Sequence, residues 1–317
     1  MASGEIDETN GIDTAEAETK QFDIVTDHSD HHYANLNPSS EDQDSTFTNA
    51  GSSVRKKIMQ EWNILKNNLP DTIFVQAYEG RIDLLRAVII GPAGTPYHDG
   101  LFFFDLAFPS DYPNQPPLVY YHSHGLRLNP NLYAKGYVCL SLLNTWHGNE
   151  EEMWNPSGST ILQVLLSLQA LVLNEEPYFN EPGYEKFREM PETQKISNNY
   201  SEEAFMLSCK TMLFLLQKPP KNFEDFVAQH FLERADVILR ACKAYADGHM
   251  RVGYYQDDGS SSTSTTVEVS SNFKQSMDKL YADLETAFNK NKDSMQEKSE
   301  EMKETACAEP QQTVEVH

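Results

Sequence analysis

The sequence predicts an α+β fold: an N-terminal helix, a four-stranded antiparallel meander, a long irregular loop, a central helix and C-terminal helices. Three observations carry this. Four short strand-like runs follow one another with only turn residues between them. Helically spaced apolar residues precede and follow those runs. A stretch without periodicity, residues 123–158, separates the strands from the next helix. Strands this closely spaced pair antiparallel, because parallel neighbours need a crossover of about a dozen residues or more. No parallel pairing is implied.

The elements follow in order. Residues 1–50 hold twelve Asp/Glu against one Lys and read as a disordered acidic tail. Its run DHSDHH, Asp27 to His32, has metal-ligand residue types. A tail would not hold the ligands together, so no metal site is expected there. Val54, Ile58, Trp62 and Leu65 then recur at helical spacing, with Ser52 or Ser53 as a cap and Pro70 as a stop. The runs TIFVQAY, DLLRAVIIG, LFFFDLAF and PLVYY read as strands, divided by turn chemistry at EGR, GPAGTPYHDG and PSDYPNQPP. SGSTILQVLLSLQALVLNEEP reads as an apolar helix of about four turns. It lacks a polar face and is expected to be buried. Further helices are expected over roughly 184–190, 199–217 and 222–247, with Pro219-Pro220 dividing the last two. DDGSSSTSTTVEVSS is a low-complexity linker. Beyond it Phe273, Met277, Leu280, Tyr281, Leu284 and Phe288 mark a short amphipathic helix. It docks on the core, docks on a partner or forms only transiently, since an isolated helix of this length is marginal.

Composition excludes several function classes. The 317 residues carry a formal net charge of −23. Phosphate-backbone binding needs clustered Lys/Arg, so no nucleic acid partner is expected. The N-terminus MASGEIDETNG has neither a basic start nor an apolar run and is not a secretory signal. No apolar run reaches membrane-spanning length, so no membrane span is expected. A cytoplasmic or nuclear protein follows. The four cysteines, at 139, 209, 242 and 307, form no CxxC pair, which argues against a disulfide scaffold or a structural zinc site.

Cys209 and Cys242 lie on predicted helices among apolar residues and read as packing, and Cys307 lies in a polar tail. Cys139 differs. It stands in LNPNLYAKGYVCLSLLNTW, residues 128–146, after Gly136 and in a run too short for an ordinary strand. Its context leaves packing and function both open. A hydrolase would need a histidine to generate the thiolate. His122, His124 and His147 are near in sequence, but none has a neighbour that orients it. Thioester exchange needs no strong base, because the incoming acyl group arrives activated. Lysine attack on that thioester then needs a donor for the developing oxyanion and a setting that orients the amine. Asn131, eight positions before Cys139 and held by Pro130, can supply the donor.

At these residues the chain resembles the ubiquitin-conjugating enzymes (E2, UBC fold). The resemblance covers residues 54 to about 185. It rests on the opening helix VRKKIMQEWNILKNNLP, on RAVIIGPAGTPYHDGLFFFDLAFPSDYPNQPP, on NPN with a cysteine eight residues after its second Asn, and on WNPSGSTILQVLLSLQALV. GYVCLSLLNTW, EEPYFNEPGYE and KPPKNFEDF place it nearest the large subgroup of hybrid conjugating enzyme–ligases and plant phosphate-signalling E2s. The resemblance implies a UBC catalytic domain over 51–218, a helical extension over 219–250 and a linker with a short helix over 251–317. It implies that Cys139 carries ubiquitin as a thioester received from the activating enzyme (E1). Asn131 would stabilise the oxyanion or hold the active-site loop. Arg55 and Lys56 would help dock E1. Pro109 to Pro117, with Pro156 and Ser157, would face E3 ligases. Lysines of protein substrates are the acceptors, and the subgroup adds the expectation of intrinsic ligase character. ATP is used by E1, so no cofactor of its own is expected.

The chain departs from the family at several points. The family's His is Asn129, and the acid often found two residues after the cysteine is Ser141. Glu181 in YFNEPG stands near where another such acid is expected. Asn114 follows DYP where many members carry an apolar residue, and a polar side chain there forgoes burial worth roughly 1.5–3 kcal/mol. Weak use of ordinary RING ligases is expected. The loop before Trp154 is longer than the family norm and carries Glu150, Glu151 and Glu152, a solvated run or an attractor for basic substrates. Three other readings stay open: a silent or weak ubiquitin-binding module, a conjugating enzyme for another modifier, and an adaptor that works through its acidic tails.

Overall fold

Alternation along the strands decides how the sheet is covered. The computed structural model describes residues 20–36, 52–146, 148–255 and 268–308, the last as backbone alone from residue 302. The acidic tail at 1–19 and 37–51, His147, the linker at 256–267 and the side chain of Cys307 lie outside the described residues. The four expected runs form β2 (Ile73–Tyr78), β3 (Arg81–Ile90), β4 (Leu101–Ala107) and β5 (Leu118–Tyr121), paired antiparallel in sequence order. All seven residues of β4 are buried, because both faces of the sheet are covered. Val75, Ala87, Phe102 and Phe104 face a core shared with α1 (Ser52–Asn68) and α2 (Ile161–Ser167). Val88, Leu101 and Phe103 face a second core built by α3 (Pro191–Gln217), α4 (Glu224–Ala246) and α5 (Ser271–Ala308). The expected α+β UBC architecture holds.

Three expectations are corrected. Residues 20–36 are ordered rather than a disordered tail. Phe22–Val25 adds β1 to the edge of β2, parallel to it, so the sheet has five strands. The reason lies under the segment that follows. Arg86 and Asp105 face each other across β3 and β4 with side chains fully buried. Arg86 donates twice to Asp105, at 2.7 and 3.0 Å, and to the Asp30 carboxylate at 2.7 Å and the Asp30 carbonyl at 3.2 Å. The His32 amide donates to Asp105 at 2.7 Å, and His122 Nε2 lies 3.0 Å from the same oxygen. Burial pushes the Asp105 carboxyl up, but hydrogen bonds from His122 and Arg86 outweigh it and hold the group far below the ordinary carboxylate range. The segment 27–33 therefore closes over a charge pair that would otherwise lack partners. The histidines of DHSDHH serve that closure. His31 Nε2 meets the Leu85 carbonyl at 3.0 Å, and His32 stacks on Tyr120. Among the described residues no group of His, Cys, Asp and Glu is placed to hold a metal ion.

The C-terminal part is the second correction. The 219–250 stretch is no appendage, since Phe223, Val227 and Phe231 share one core with Val88 and Phe103 of the sheet. The short terminal helix is 38 residues long and docks on that core through Phe273, Met277, Leu280, Leu284 and Phe288. The helix expected at 184–190 is only a 3-10 turn at Glu185–Phe187, and α3 begins earlier than expected, with Pro191 at its first turn. Third, the central helix is shorter and less buried than its composition suggests. Regular α2 ends at Ser167 and passes into a wide π turn, Leu168–Val172, and Leu166 and Leu171 face solvent. A Thr160–Gln163 capping box starts it. No helix among the described residues is long and apolar enough to cross a membrane.

Removing one member of the buried pair tests the docking argument. Asp105→Ala strands the Arg86 charge and is expected to lower unfolding free energy by about 3–5 kcal/mol in urea denaturation, whereas Arg86→Met with Asp105→Leu recovers most of that loss. Equal losses in the single and double variants would sink the argument.

Candidate active site

Four chain segments that are remote in sequence meet at Asn129. Its side chain is fully buried. The Asn129 amide donates to Tyr97 OH at 2.9 Å and to the Val172 carbonyl at 2.7 Å. Its oxygen accepts from the Asn131 backbone N–H at 2.8 Å and from the Asn180 amide at 3.4 Å. Tyr97 OH in turn donates to the Leu128 carbonyl. Val172 ends the π turn, where carbonyls lack partners within the helix, and Asn129 supplies one. An amide carries two donor hydrogens and two acceptor lone pairs, and here all four have partners. An imidazole could serve only two. Asn129 is thus the hub on which the loop is built.

The next residues place the cysteine. Pro130 is buried, and the Asn131 carbonyl accepts the Cys139 backbone N–H at 2.9 Å. Asn131 Nδ2 returns a bond to the Cys139 carbonyl, also at 2.9 Å. The two residues clasp each other, so in this state the Asn131 amide holds the loop. Gly136 makes the intervening turn, at φ +84°. A Cβ there would lie 2.0 Å from the Tyr120 ring, so only glycine lets the loop lie against β5.

Cys139 is 4% exposed, and its Sγ–H donates to the Thr145 carbonyl at 3.0 Å. The Thr145 hydroxyl bonds the Val138 carbonyl and accepts from the Leu140 N–H, which holds the strand of the thiol and the loop that covers it together. Beside it opens a cleft of about 490 Å³ lined by Thr145, Trp146, Phe179, Asn180, Glu181 and Gly183. Burial pushes the Cys139 thiol up, and the nearby Glu181 charge adds to this. Among the described residues no histidine bonds the thiol. His122 is held by Asp105, and His124 stacks on Phe214. Cys209 and Cys242 are fully buried in the helical core.

The other expected site residues are spread around this centre. Ser141 starts the 3-10 turn Ser141–Leu143, two residues past Cys139. A Cβ on Gly148 would lie 2.5 Å from both Ser141 Oγ and a Glu152 carboxylate oxygen, which places Glu152 near Ser141, while all three of Glu150, Glu151 and Glu152 are exposed. Arg55 and Lys56 are exposed on the first turns of α1. Asn114, Pro156 and Ser157 are exposed on two neighbouring loops, joined by the Trp154 indole bond to the Pro113 carbonyl at 2.7 Å. Sequence reasoning missed what fastens these loops to α1. The buried Glu61 carboxylate accepts from Tyr112 OH at 2.9 Å and from the first α2 amide, Ile161, at 3.0 Å. An acid among the apolar positions of α1 was the available signal. Sequence reasoning also missed Thr145 and Asn180, whose roles depend on contacts between distant segments.

Comparison with known proteins agrees with this geometry. A family model described as "Ubiquitin-conjugating enzyme" matches residues 57–205. The putative ubiquitin-conjugating enzyme E2 38 of Arabidopsis thaliana is 56% identical over 229 residues, which are 72% of this chain and 68% of that protein. The probable ubiquitin-conjugating enzyme E2 24 of the same plant is 52% identical over 270 residues, 85% of this chain but 29% of that protein. Human BIRC6, a dual E2 ubiquitin-conjugating enzyme/E3 ubiquitin-protein ligase, is 43% identical over 205 residues, 62% of this chain and 4% of that protein. The chain therefore spans under a third of E2 24 and a small fraction of BIRC6.

Two outcomes check the site. Asn129→Ala removes four hydrogen bonds and leaves the Asn131 backbone N–H without a partner, and is expected to destabilise the protein by about 3 kcal/mol in thermal or urea unfolding. A loss below about 1 kcal/mol would remove its role as hub. For Cys139, alkylation mapped by mass spectrometry should keep rising with pH through the ordinary thiol range, because the neutral form is favoured. Glu181→Gln removes a like charge, lowers the thiol pKa and should move that profile to lower pH. An unmoved profile would show that Glu181 does not act on the thiol.

Proposed function

The chain belongs to the ubiquitin-conjugating enzyme family, and from that premise we propose that Cys139 accepts ubiquitin from E1 as a thioester and passes it to a substrate lysine. The observation that carries the proposal is the state of the thiol: neutral, bonded to a carbonyl and without a base. Such a group suits exchange with an acyl group that arrives already activated. The Cys139 sulfur forms the new bond to the ubiquitin carbonyl carbon as the bond to the E1 sulfur breaks. The Cys139 proton leaves, and the E1 thiolate takes one up.

In the second step the lysine nitrogen bonds the same carbon and the Cys139 sulfur departs, taking up a proton. Glu181 lines the cleft beside the thiol, where its carboxylate can attract and orient the incoming ammonium and accept a proton. Asn131 Nδ2 lies within reach of the Cys139 carbonyl and serves the tetrahedral intermediate by holding the loop or by turning to the oxyanion. Arg55 and Lys56 supply an exposed basic patch for E1, while the loops of Asn114, Pro156 and Ser157 face a ligase. The hybrid relatives support carrying intrinsic ligase character within the proposal.

The test is a loading reaction with E1, ATP and ubiquitin, read on gels with and without reductant. The expected product is a reductant-sensitive adduct, absent in Cys139→Ala and converted to a reductant-resistant ester in Cys139→Ser. Discharge to a substrate without added ligase reads out ligase character. No adduct with ubiquitin would overturn the proposal.

A further inference from the structure

A second cleft, of about 450 Å³, lies against the Leu128–Pro130 stretch and α3. Pro130 lines it, while the next residue, Asn131, clasps Cys139. Glu181 lines both this cleft and the one beside the thiol, so the two meet at that residue.

The second cleft has an aromatic wall. Tyr178 meets Tyr184 at 4.9 Å between ring centroids and Tyr200 at 6.1 Å, tilted rather than stacked. Two carboxylates stand at this wall, Glu181 and the exposed Glu203. Among the described residues neither forms an ion pair. The cation that lines the cleft, Arg127, is placed over the ring of Tyr133, 4.8 Å from its centroid. The surrounding surface uses its own cations in the same way. Lys186 lies over Phe187, and Arg188 lies over Phe179. Among the described residues no cation is placed over Tyr178, Tyr184 or Tyr200; Tyr184 is exposed and the other two are half-buried. Acids without an ion pair beside rings that carry no cation are the combination that attracts an external cation. Glu181, Glu203 and Arg127 all act electrostatically on the Tyr200 hydroxyl, which places the three charges around one wall.

We propose that this cleft is a second substrate subsite: it takes the side chain of an arginine or lysine that lies near the acceptor lysine in the substrate chain. The acceptor enters the first cleft, the neighbouring cation enters the second, and Glu181 stands between them. The protein then selects lysines in basic sequence surroundings. The inference rests on the proposal that Cys139 carries the thioester, but the subsite can be measured apart from it.

The experiment uses the full chain and fluorescent peptides. Each peptide carries one acceptor lysine and one arginine, placed at successive positions on either side of it. In each control peptide citrulline, which keeps the shape and loses the charge, replaces the arginine. Single-turnover discharge of the ubiquitin-loaded protein is expected to favour the best arginine peptide over its citrulline twin by about fivefold to tenfold at low salt. The ratio should fall as salt rises. Glu203→Gln and Tyr184→Ala should each bring it to within about twofold of one, and Arg127→Ala, which removes a competing cation, should raise it. That opposite sign separates a subsite from a general loss of structure. Anisotropy of the same peptides on the uncharged protein gives the binding ratio directly. If no thioester forms but binding still prefers arginine and responds to Glu203→Gln, the function reading falls and the subsite stands. A ratio near one in the unaltered protein, or a ratio untouched by both Glu203→Gln and Tyr184→Ala, overturns the subsite.

Discussion

A buried polar group is tolerated only when its donors and acceptors are matched, and around Asn129 this constraint organises the whole site. Each of its four hydrogen-bonding positions takes a partner from a different place: the turn before β4, the end of the central helix, the Asn131 backbone and the Pro177–Asn180 turn. Losing Asn129 strands the Asn131 N–H at about 1–3 kcal/mol and removes the bonds that tie these segments to one another. The clasp of Asn131 on Cys139 inherits that rigidity. A thiol with no base can work only if its surroundings are held for the partner that brings the activated acyl group.

The same rule acts on the sheet with charges in place of amides. Arg86 and Asp105 are directly opposite on β3 and β4, and neither reaches water. Their remaining hydrogen-bonding capacity draws in Asp30 and the His32 amide, which brings residues 27–33 over the sheet and lays β1 beside β2. The segment is further fixed at its exposed rim by Lys221, which bonds Asp27 at 2.7 Å from the start of α4. Residues 20–36 and the C-terminal helices are therefore parts of one packed domain with the sheet.

Electrostatics near the thiol favour acid over base. Burial keeps the Cys139 thiol protonated and the Glu181 charge adds to this, while Glu150 and Glu151 are exposed on the loop before Trp154. The aromatic wall of Tyr178, Tyr184 and Tyr200 continues from Glu181. In the proposed reaction and subsite, substrate choice and chemistry share one carboxylate, which ties the selection of a basic segment to the position of its lysine.

Much of this was legible in the sequence because it is written in local patterns. Alternation and turn residues place the four antiparallel strands, helical spacing places α1, and the eight-residue step from Asn131 to Cys139 marks the loop. The absence of an orienting partner for any nearby histidine pointed away from a hydrolase. Other features depend on contacts between residues far apart in the chain. The pairing of Phe22–Val25 depends on a buried ion pair some eighty residues later, and a stretch rich in acids reads as disordered until that pair is known. The four partners of Asn129, the cover that Thr145 lays over the thiol and the link from Glu61 to both Tyr112 and Ile161 are likewise invisible to periodicity. Sequence by itself determined the four antiparallel strands, the existence of the main helices and which cysteine stands in a special loop, since propensity and turn chemistry are local. Only the tertiary structure decided which polar groups are buried together, because that depends on where distant segments meet and on the rule that each must find a partner there.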